Sequence, residues 1–127
     1  MISYSAYMMG RDEEFPPTAE MIANARDLLD RVEAFFKDLG ILVGDEHLSS
    51  GYRPGKHNLA ANGASKSPHL NCTGLDLKDP YRKLKTVIFS APHLLEKHGL
   101  YMEDPRYTPT WVHLDTKQRK RRIFIPY

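Results

Sequence analysis

Apolar residues recur at steps of three and four along residues 18–39, and charged residues fill most of the positions between them. The apolar positions are Ile22, Ala25, Leu28, Leu29, Val32, Phe35, Phe36 and Leu39. This spacing places a continuous apolar stripe on one face of a helix with 3.6 residues per turn. Thr18 is a suitable N-cap and Gly40 a suitable C-terminal stop. The pattern predicts an amphipathic helix whose apolar stripe lies in the core.

Shorter apolar runs elsewhere have the composition of β-strands. Ile41–Val43 and His47–Ser50 predict one or two strands, with a turn at the intervening Gly-Asp pair. Alternation of apolar and polar residues predicts further strands at Leu75–Leu77 and Trp111–Asp115, and Ile123–Ile125 predicts a last one.

The remaining segments are one interrupted helix and two loops. Residues Tyr81–His98 predict a helix broken at Ala91-Pro92. Residues 54–68 predict an irregular loop with one helical turn near His57–Ala61, and Leu100–Pro109 predict a second loop. We therefore expect a single α+β domain over residues 1–127, with a small, mainly antiparallel sheet backed by the two helical segments.

Composition is that of a folded domain of ordinary size. The chain has 127 residues, 41% hydrophobic and 27% charged, enough to bury a core without disulfides. A net charge of +2 does not select a partner, and one cysteine excludes a cysteine-rich zinc site. The first residues lack the features of a signal peptide, and no segment has the roughly 20 apolar residues that cross a bilayer. We expect a protein made in the cytoplasm without membrane insertion.

Three side chains that bind metals well stand out: His69, Asp76 and His113. Asp76 and His113 each lie in the middle of a predicted strand, so each points away from the face that its apolar neighbours bury. If the two strands pair, their Cβ atoms could lie roughly 5 Å apart. His69 reaches them only if the chain folds back near Asn71–Gly74, whose residues allow a turn. Two histidines and one carboxylate leave a fourth tetrahedral position for water, as in catalytic zinc sites.

The residues around these positions carry a resemblance to a known family. Its motifs are Ser49-Ser50-Gly51-Tyr52-Arg53, then Ser67-Pro68-His69 followed by Gly74 and Asp76, and Trp111-Val112-His113. Over about residues 45–115 the chain resembles the zinc D-alanyl-D-alanine carboxypeptidases and L-alanyl-D-glutamate endopeptidases. The resemblance implies a hedgehog/DD-peptidase fold and cleavage of peptidoglycan stem peptides. Small members of this family are often phage-encoded, which implies action on the cell wall after release.

The resemblance also implies roles for individual residues. His69, Asp76 and His113 would bind Zn²⁺, Arg53 would contact the substrate or the developing oxyanion, and Ser67 would shape the site. A guanidinium suits either role of Arg53, although it could also brace the loop by bonding to backbone carbonyls.

The chain departs from the family pattern at the catalytic base. Many relatives place a Glu three residues before the last zinc histidine, or a His two before it, where this chain has Thr110 and Trp111. Asp115 and Glu103 are the candidate bases that remain. The departure is the main support for the alternative to a peptidase, a catalytically inactive zinc-binding module of the same fold in virion assembly or cell-wall binding.

Two other features have simpler interpretations that we favour. The basic run Lys117–Arg122 could bind nucleic acid, but a basic segment that protects an edge strand is the preferred role. Cys72 could be a thiol nucleophile, but a small buried side chain is preferred. Taken singly, the other histidines are expected to be structural or solvated; they are His47, His57, His93 and His98.

Overall fold

The amphipathic segment forms the longest helix of the computed structural model, which describes residues 1–55, 57 and 67–126. The described α-helices are α1 (Tyr4–Met8), α2 (Ala19–Leu39), α3 (Lys83–Ser90) and α4 (His93–Lys97). The described strands are β1 (Leu48–Ser50), β2 (Gly74–Lys78), β3 (Tyr101–Glu103), β4 (Trp111–Asp115) and β5 (Ile123–Phe124). Two short 3₁₀ helices cover Asp45–His47 and Pro105–Tyr107.

Helix α2 has the ends and the buried face that its sequence predicts. The Thr18 hydroxyl accepts a hydrogen bond from the Met21 backbone N–H, and Gly40 ends the helix in a left-handed conformation. The buried residues of the helix are Ala25, Leu28, Leu29, Val32, Phe35 and Phe36. They join the main core cluster, so the stripe is core as predicted.

The strands form one sheet in the order β1-β2-β4-β3-β5, antiparallel except for the β3–β5 pair. Leu75 and Leu77 of β2 and Val112 and Leu114 of β4 are buried in the core cluster. The alternate residues of these strands lie on the opposite face. The predicted α+β class with a small, mainly antiparallel sheet is confirmed. The face of the sheet that is turned away from the core cluster, the open face, carries Asp76 and His113.

Two predictions about local structure were wrong. Ile41–Val43 is not a strand, because the Ile41 N–H donates to the Phe36 carbonyl as part of the capping structure that ends α2. Leu100–Pro109 is not wholly a loop, since it contains β3. A strand of three residues is too short to show alternation in the sequence.

Other local predictions held, and one lies mostly outside the described residues. The interrupted helix is confirmed as α3 and α4, which are separated at Ala91-Pro92. Helix α1 was not predicted. The helical turn predicted near His57–Ala61 falls largely on residues that the structure does not describe.

The basic run leads into β5 at the edge of the sheet, as the edge-strand interpretation predicts. The Arg122 guanidinium stacks 4.3 Å from the Tyr101 ring centroid and donates to the Leu100 carbonyl. Among the described helices, none is long and apolar enough to cross a membrane.

Candidate metal centre

His69, Asp76 and His113 come together on the open face of the sheet. Each offers one ligand atom, and these atoms all lie within 4.8 Å of one another. Both histidines are buried and Asp76 is nearly so. Asp76 and His69 precede His113 by 37 and 44 positions in the sequence, yet the three residues form one compact cluster of nitrogen and oxygen donors.

Strand pairing brings Asp76 and His113 together. Asp76 lies directly opposite His113 in the antiparallel register of β2 and β4. Because side chains alternate along a strand, both point to the face opposite the buried leucines and Val112. The pairing that the two apolar-flanked residues suggest is therefore present in the fold.

A tight turn carries His69 to the same place. The Leu70 N–H donates to the Ser67 carbonyl at 3.0 Å, and the Thr73 N–H donates to the Pro68 carbonyl at 2.9 Å. The chain then enters β2 at Gly74. The fold-back predicted at Asn71–Gly74 is confirmed, with Cys72 in the left-handed conformation at φ 60°.

Close packing around Gly74 explains why this position has no side chain. A Cβ atom there would lie 2.7 Å from the Pro68 Cβ, 3.1 Å from the His113 Cε1 and 3.3 Å from the Asp115 Cβ. The turn can approach the two strands because glycine leaves that space open.

The backbone fixes the orientation of the His69 ring. Nδ1 lies 2.8 Å from the Gly51 carbonyl oxygen, which can only accept, so Nδ1 carries the proton. Nε2 is then the ring atom turned toward Asp76, whose Oδ2 is 3.3 Å away. Such an outer hydrogen bond is typical of histidines that bind metals.

Two carboxylates flank the His113 ring. Nδ1 lies 2.8 Å from Asp76 Oδ1, and Nε2 lies 2.7 Å from Asp115 Oδ2. Burial disfavours the charged ring, but the bonds to Asp115 and Asp76 outweigh that effect and raise the pKa of His113 to about 9. Burial also disfavours the charged form of Asp76, which by itself would raise the pKa of this carboxyl. The bonds to His113 and His69 outweigh burial and hold the pKa of Asp76 well below its usual range.

The donor set fits a tetrahedral zinc ion. Zinc bonds of ~2.0–2.1 Å at tetrahedral angles require ligand atoms roughly 3.4 Å apart. Nε2 of His69 and Nδ1 of His113 lie 3.3 and 2.8 Å from the two oxygens of Asp76. All three ligand atoms lie within 4.8 Å of one another, and an ion bound among them would replace the proton that His113 shares with Asp76.

Arg53 and Ser67 lie beside this cluster and contact each other. Arg53 Nη2 donates to Ser67 Oγ at 3.3 Å, and the same oxygen accepts from the His69 N–H at 3.3 Å. The backbone N–H of Arg53 donates to the His69 carbonyl at 3.1 Å. The motif around Arg53 is thus joined directly to the turn that holds His69.

The two candidate bases have different surroundings. Asp115 is completely buried, and its Oδ2 accepts from both His113 and Arg119. Glu103 is half-buried in β3, where extending the register with β4 by one residue places it opposite His113. Burial raises the pKa of Glu103. The cations of His113 and Arg119 oppose this effect, and the carboxylates of Asp76 and Asp115 add to it.

The structure adds supporting residues that the sequence analysis missed. The Tyr7 hydroxyl of α1 donates to the Gly74 carbonyl at 2.7 Å, and the Tyr7 carbonyl accepts from the Tyr52 N–H at 2.8 Å. Tyr7 thus joins the start of β2, the strand of Asp76, to the segment whose Gly51 carbonyl orients the His69 ring. The tyrosine-rich start of the chain shows no periodicity that could have indicated this contact.

The remaining histidines and Cys72 lie outside the cluster. His47 Nδ1 accepts from the Gly44 N–H, and His98 bonds to Asp38 on the surface. His57 packs edge-on against Phe15, with ring centroids 5.8 Å apart. Cys72 is buried, as predicted, and burial raises the pKa of its thiol to about 11, which argues against a thiol nucleophile.

Comparison with known proteins agrees with this geometry. Residues 6–115 match the family model described as Peptidase M15. No curated protein and no solved structure matches the chain. The match covers most of the sequence and includes the three clustered residues. The chain therefore belongs to the peptidase M15 family.

Proposed function

We propose that this protein is a zinc-dependent peptidase that hydrolyses bacterial peptidoglycan stem peptides. Its bond specificity would be of the D-alanyl-D-alanine carboxypeptidase or L-alanyl-D-glutamate endopeptidase type. The observation that carries the proposal is the placement of His69, Asp76 and His113 within 4.8 Å on the open sheet face. Membership of a peptidase family supports the hydrolytic chemistry.

The proposed ligands are Nε2 of His69, a carboxylate oxygen of Asp76 and Nδ1 of His113. These are the ring atoms that face Asp76, while the other nitrogen of each ring bonds to Gly51 or Asp115. A zinc ion held by three protein ligands would polarise the peptide carbonyl and lower the pKa of a bound water to about 7.

Glu103 is the proposed general base. Glu103 lies on the same face of the sheet as His113. It is half-buried, and burial raises its pKa. A carboxylate with a raised pKa accepts a proton near neutral pH more effectively than an ordinary one. Glu103 would take the proton from the attacking water and return it to the leaving amine.

For Asp115 the surroundings support a positioning role instead of proton transfer. Its carboxylate is buried and already accepts from His113 and Arg119. An acceptor at Nε2 keeps the Nδ1 lone pair directed toward the metal.

Arg53 is the proposed contact for a substrate carboxylate or for the oxyanion. Its guanidinium donates a hydrogen bond to Ser67 Oγ, and the same oxygen accepts from the backbone N–H of His69. Ser67 therefore links the guanidinium to the cluster. Ser67 would hold the guanidinium and the metal-binding turn in a fixed relation. Such a fixed cation suits transition-state stabilisation because it needs no reorganisation during the reaction.

Digestion of purified peptidoglycan tests this function. The zinc-loaded protein should release new amino termini that mass spectrometry assigns to one type of bond, and chelator should stop the release. Zinc binding without release at any pH from 6 to 9 would contradict the proposal. That result would favour the inactive zinc-binding module, which the Thr110 and Trp111 positions before His113 already support.

A further inference from the structure

We propose that Arg119 is a positioning residue of the zinc centre and that it acts through Asp115 on His113. This inference rests on the proposed function, because it concerns the same site. Arg119 follows the last residue of the family match by four positions. It also belongs to the basic run whose sequence pattern predicts no part in the chemistry.

The contact between Arg119 and Asp115 is largely shielded from solvent. Nη2 of Arg119 donates to Asp115 Oδ2 at 2.9 Å, and Nε lies 3.4 Å from Oδ1. The Asp115 side chain is 0% exposed and that of Arg119 is 19% exposed. A buried carboxylate is costly unless it is paired, and the planar guanidinium supplies both charge and two directed donors.

The consequence for His113 follows from hydrogen-bond chemistry. Both oxygens of Asp115 accept from the Arg119 guanidinium, which cannot accept in return, so Nε2 of His113 donates to Asp115 Oδ2 at 2.7 Å. That leaves Nδ1 as the atom that can bind the metal. Arg119 thereby fixes the His113 tautomer indirectly, because it holds in place the Asp115 carboxylate that accepts from His113 Nε2.

Phe124 completes the arrangement. The Arg119 guanidinium carbon lies 3.4 Å from the Phe124 ring centroid, and the same ring packs edge-on against His113 at 6.0 Å. Phe124 is buried in β5, the edge strand that pairs with β3. The ring therefore holds Arg119 over Asp115 and covers one side of His113.

A purely structural role would have a different consequence. If Arg119 only neutralised a buried charge, its loss would lower the stability of the metal-free protein but leave the intrinsic zinc affinity of the folded protein unchanged. If Arg119 positions His113, zinc affinity must fall as well. Loss of an outer-shell partner of a metal ligand typically lowers metal affinity 10–100-fold.

The test compares Arg119→Gln and Arg119→Lys with the matched control Arg121→Gln, which removes the same charge from an exposed neighbour. Zinc dissociation constants are measured by chelator competition at pH 7.5, and thermal unfolding is followed with and without zinc. We expect Arg119→Gln to bind zinc at least tenfold more weakly than the unchanged protein. Arg119→Lys keeps the positive charge but loses the two parallel guanidinium donors, and its zinc affinity should lie between those of Arg119→Gln and the unchanged protein. Arg121→Gln should bind like the unchanged protein.

The outcomes separate this inference from the proposed function. If the unchanged protein binds no zinc, both are overturned. If it binds zinc and folded Arg119→Gln binds within twofold of it, only the role of Arg119 is overturned. Should Arg119→Gln fail to fold, Arg119→Lys decides, and an affinity equal to that of the unchanged protein would overturn the inference.

Discussion

His113 faces Asp76 across two antiparallel strands, and its Nδ1 lies 2.8 Å from Asp76 Oδ1. In the metal-free protein this contact is a charged hydrogen bond, since both partners are shifted toward their ionised forms. The same two atoms are the proposed zinc ligands. Metal binding and the imidazolium–carboxylate pair are therefore alternatives at one place.

The metal-free protein should lose stability as pH rises because of this pair. The pKa of His113 is raised from 6.5 to about 9, so its contribution is complete below pH 6.5 and lost as pH rises through 9. The loss should be about 3 kcal/mol between pH 5.5 and 9. Denaturant unfolding of the chelator-treated protein measures it. His113→Gln should lack this pH dependence, and an unchanged profile in that variant would contradict the assignment.

Gly74→Ala should damage both the fold and the centre. The new methyl group would meet Pro68 Cβ at 2.7 Å and His113 Cε1 at 3.1 Å. Overpacking of this kind costs about 1–3 kcal/mol, and the shifted ring should bind zinc more weakly. The control is Gly55→Ala, where no described heavy atom lies within 4 Å of the new carbon. Equal stability and zinc affinity in the two variants would refute the packing argument.

Glu103→Gln should separate catalysis from metal binding. The amide cannot accept the proton from water, so kcat should fall by about 10²–10⁴-fold while one zinc per chain remains bound. Glu96→Gln, an exposed change on α4, should keep full activity. The activity of the unchanged protein should decrease as the pH is lowered, because Glu103 then becomes protonated. Burial raises the pKa of Glu103, so this decrease should begin at a higher pH than for an ordinary glutamate. Full activity in Glu103→Gln would assign the base elsewhere.

A buried ion pair outside the metal cluster should be important for stability. Asp79 accepts from the backbone N–H groups of Leu84 and Lys85 and from Lys85 Nζ at 3.3 Å, with both side chains buried. Asp79→Asn would leave the lysine charge unpaired and should cost about 3–5 kcal/mol of unfolding free energy. Asp38→Asn, which disrupts a surface pair with Lys97, should cost far less. Similar losses in both variants would contradict this distinction.

The sequence predicted the parts of the molecule that follow from periodicity. Helix α2 has an apolar stripe long enough to define its face and two clear capping residues. Asp76 and His113 could be placed on the open sheet face because each interrupts an apolar strand. His69 required a turn, and the small and polar residues after it allow one.

Supporting contacts could not be predicted, because they depend on tertiary packing. Glu103 was a candidate base from the sequence, but its position opposite the centre depends on β3, a strand of three residues with no alternation to detect. Arg119 approaches Asp115 through the path of the chain between β4 and β5, and it looks like any other residue of a basic run. Tyr7 bonds to Gly74 from a helix of five residues, which is too short for a periodic signal.

Zinc titration of the chelator-stripped protein tests the central claim most directly. The unchanged protein and the surface control His93→Gln should each bind one zinc per chain, with a rise in thermal stability. His69→Gln, Asp76→Asn and His113→Gln should each lose that binding at the same zinc concentration. Stoichiometric zinc in all three variants, or no zinc in the unchanged protein, would contradict the assignment of these residues as the metal centre.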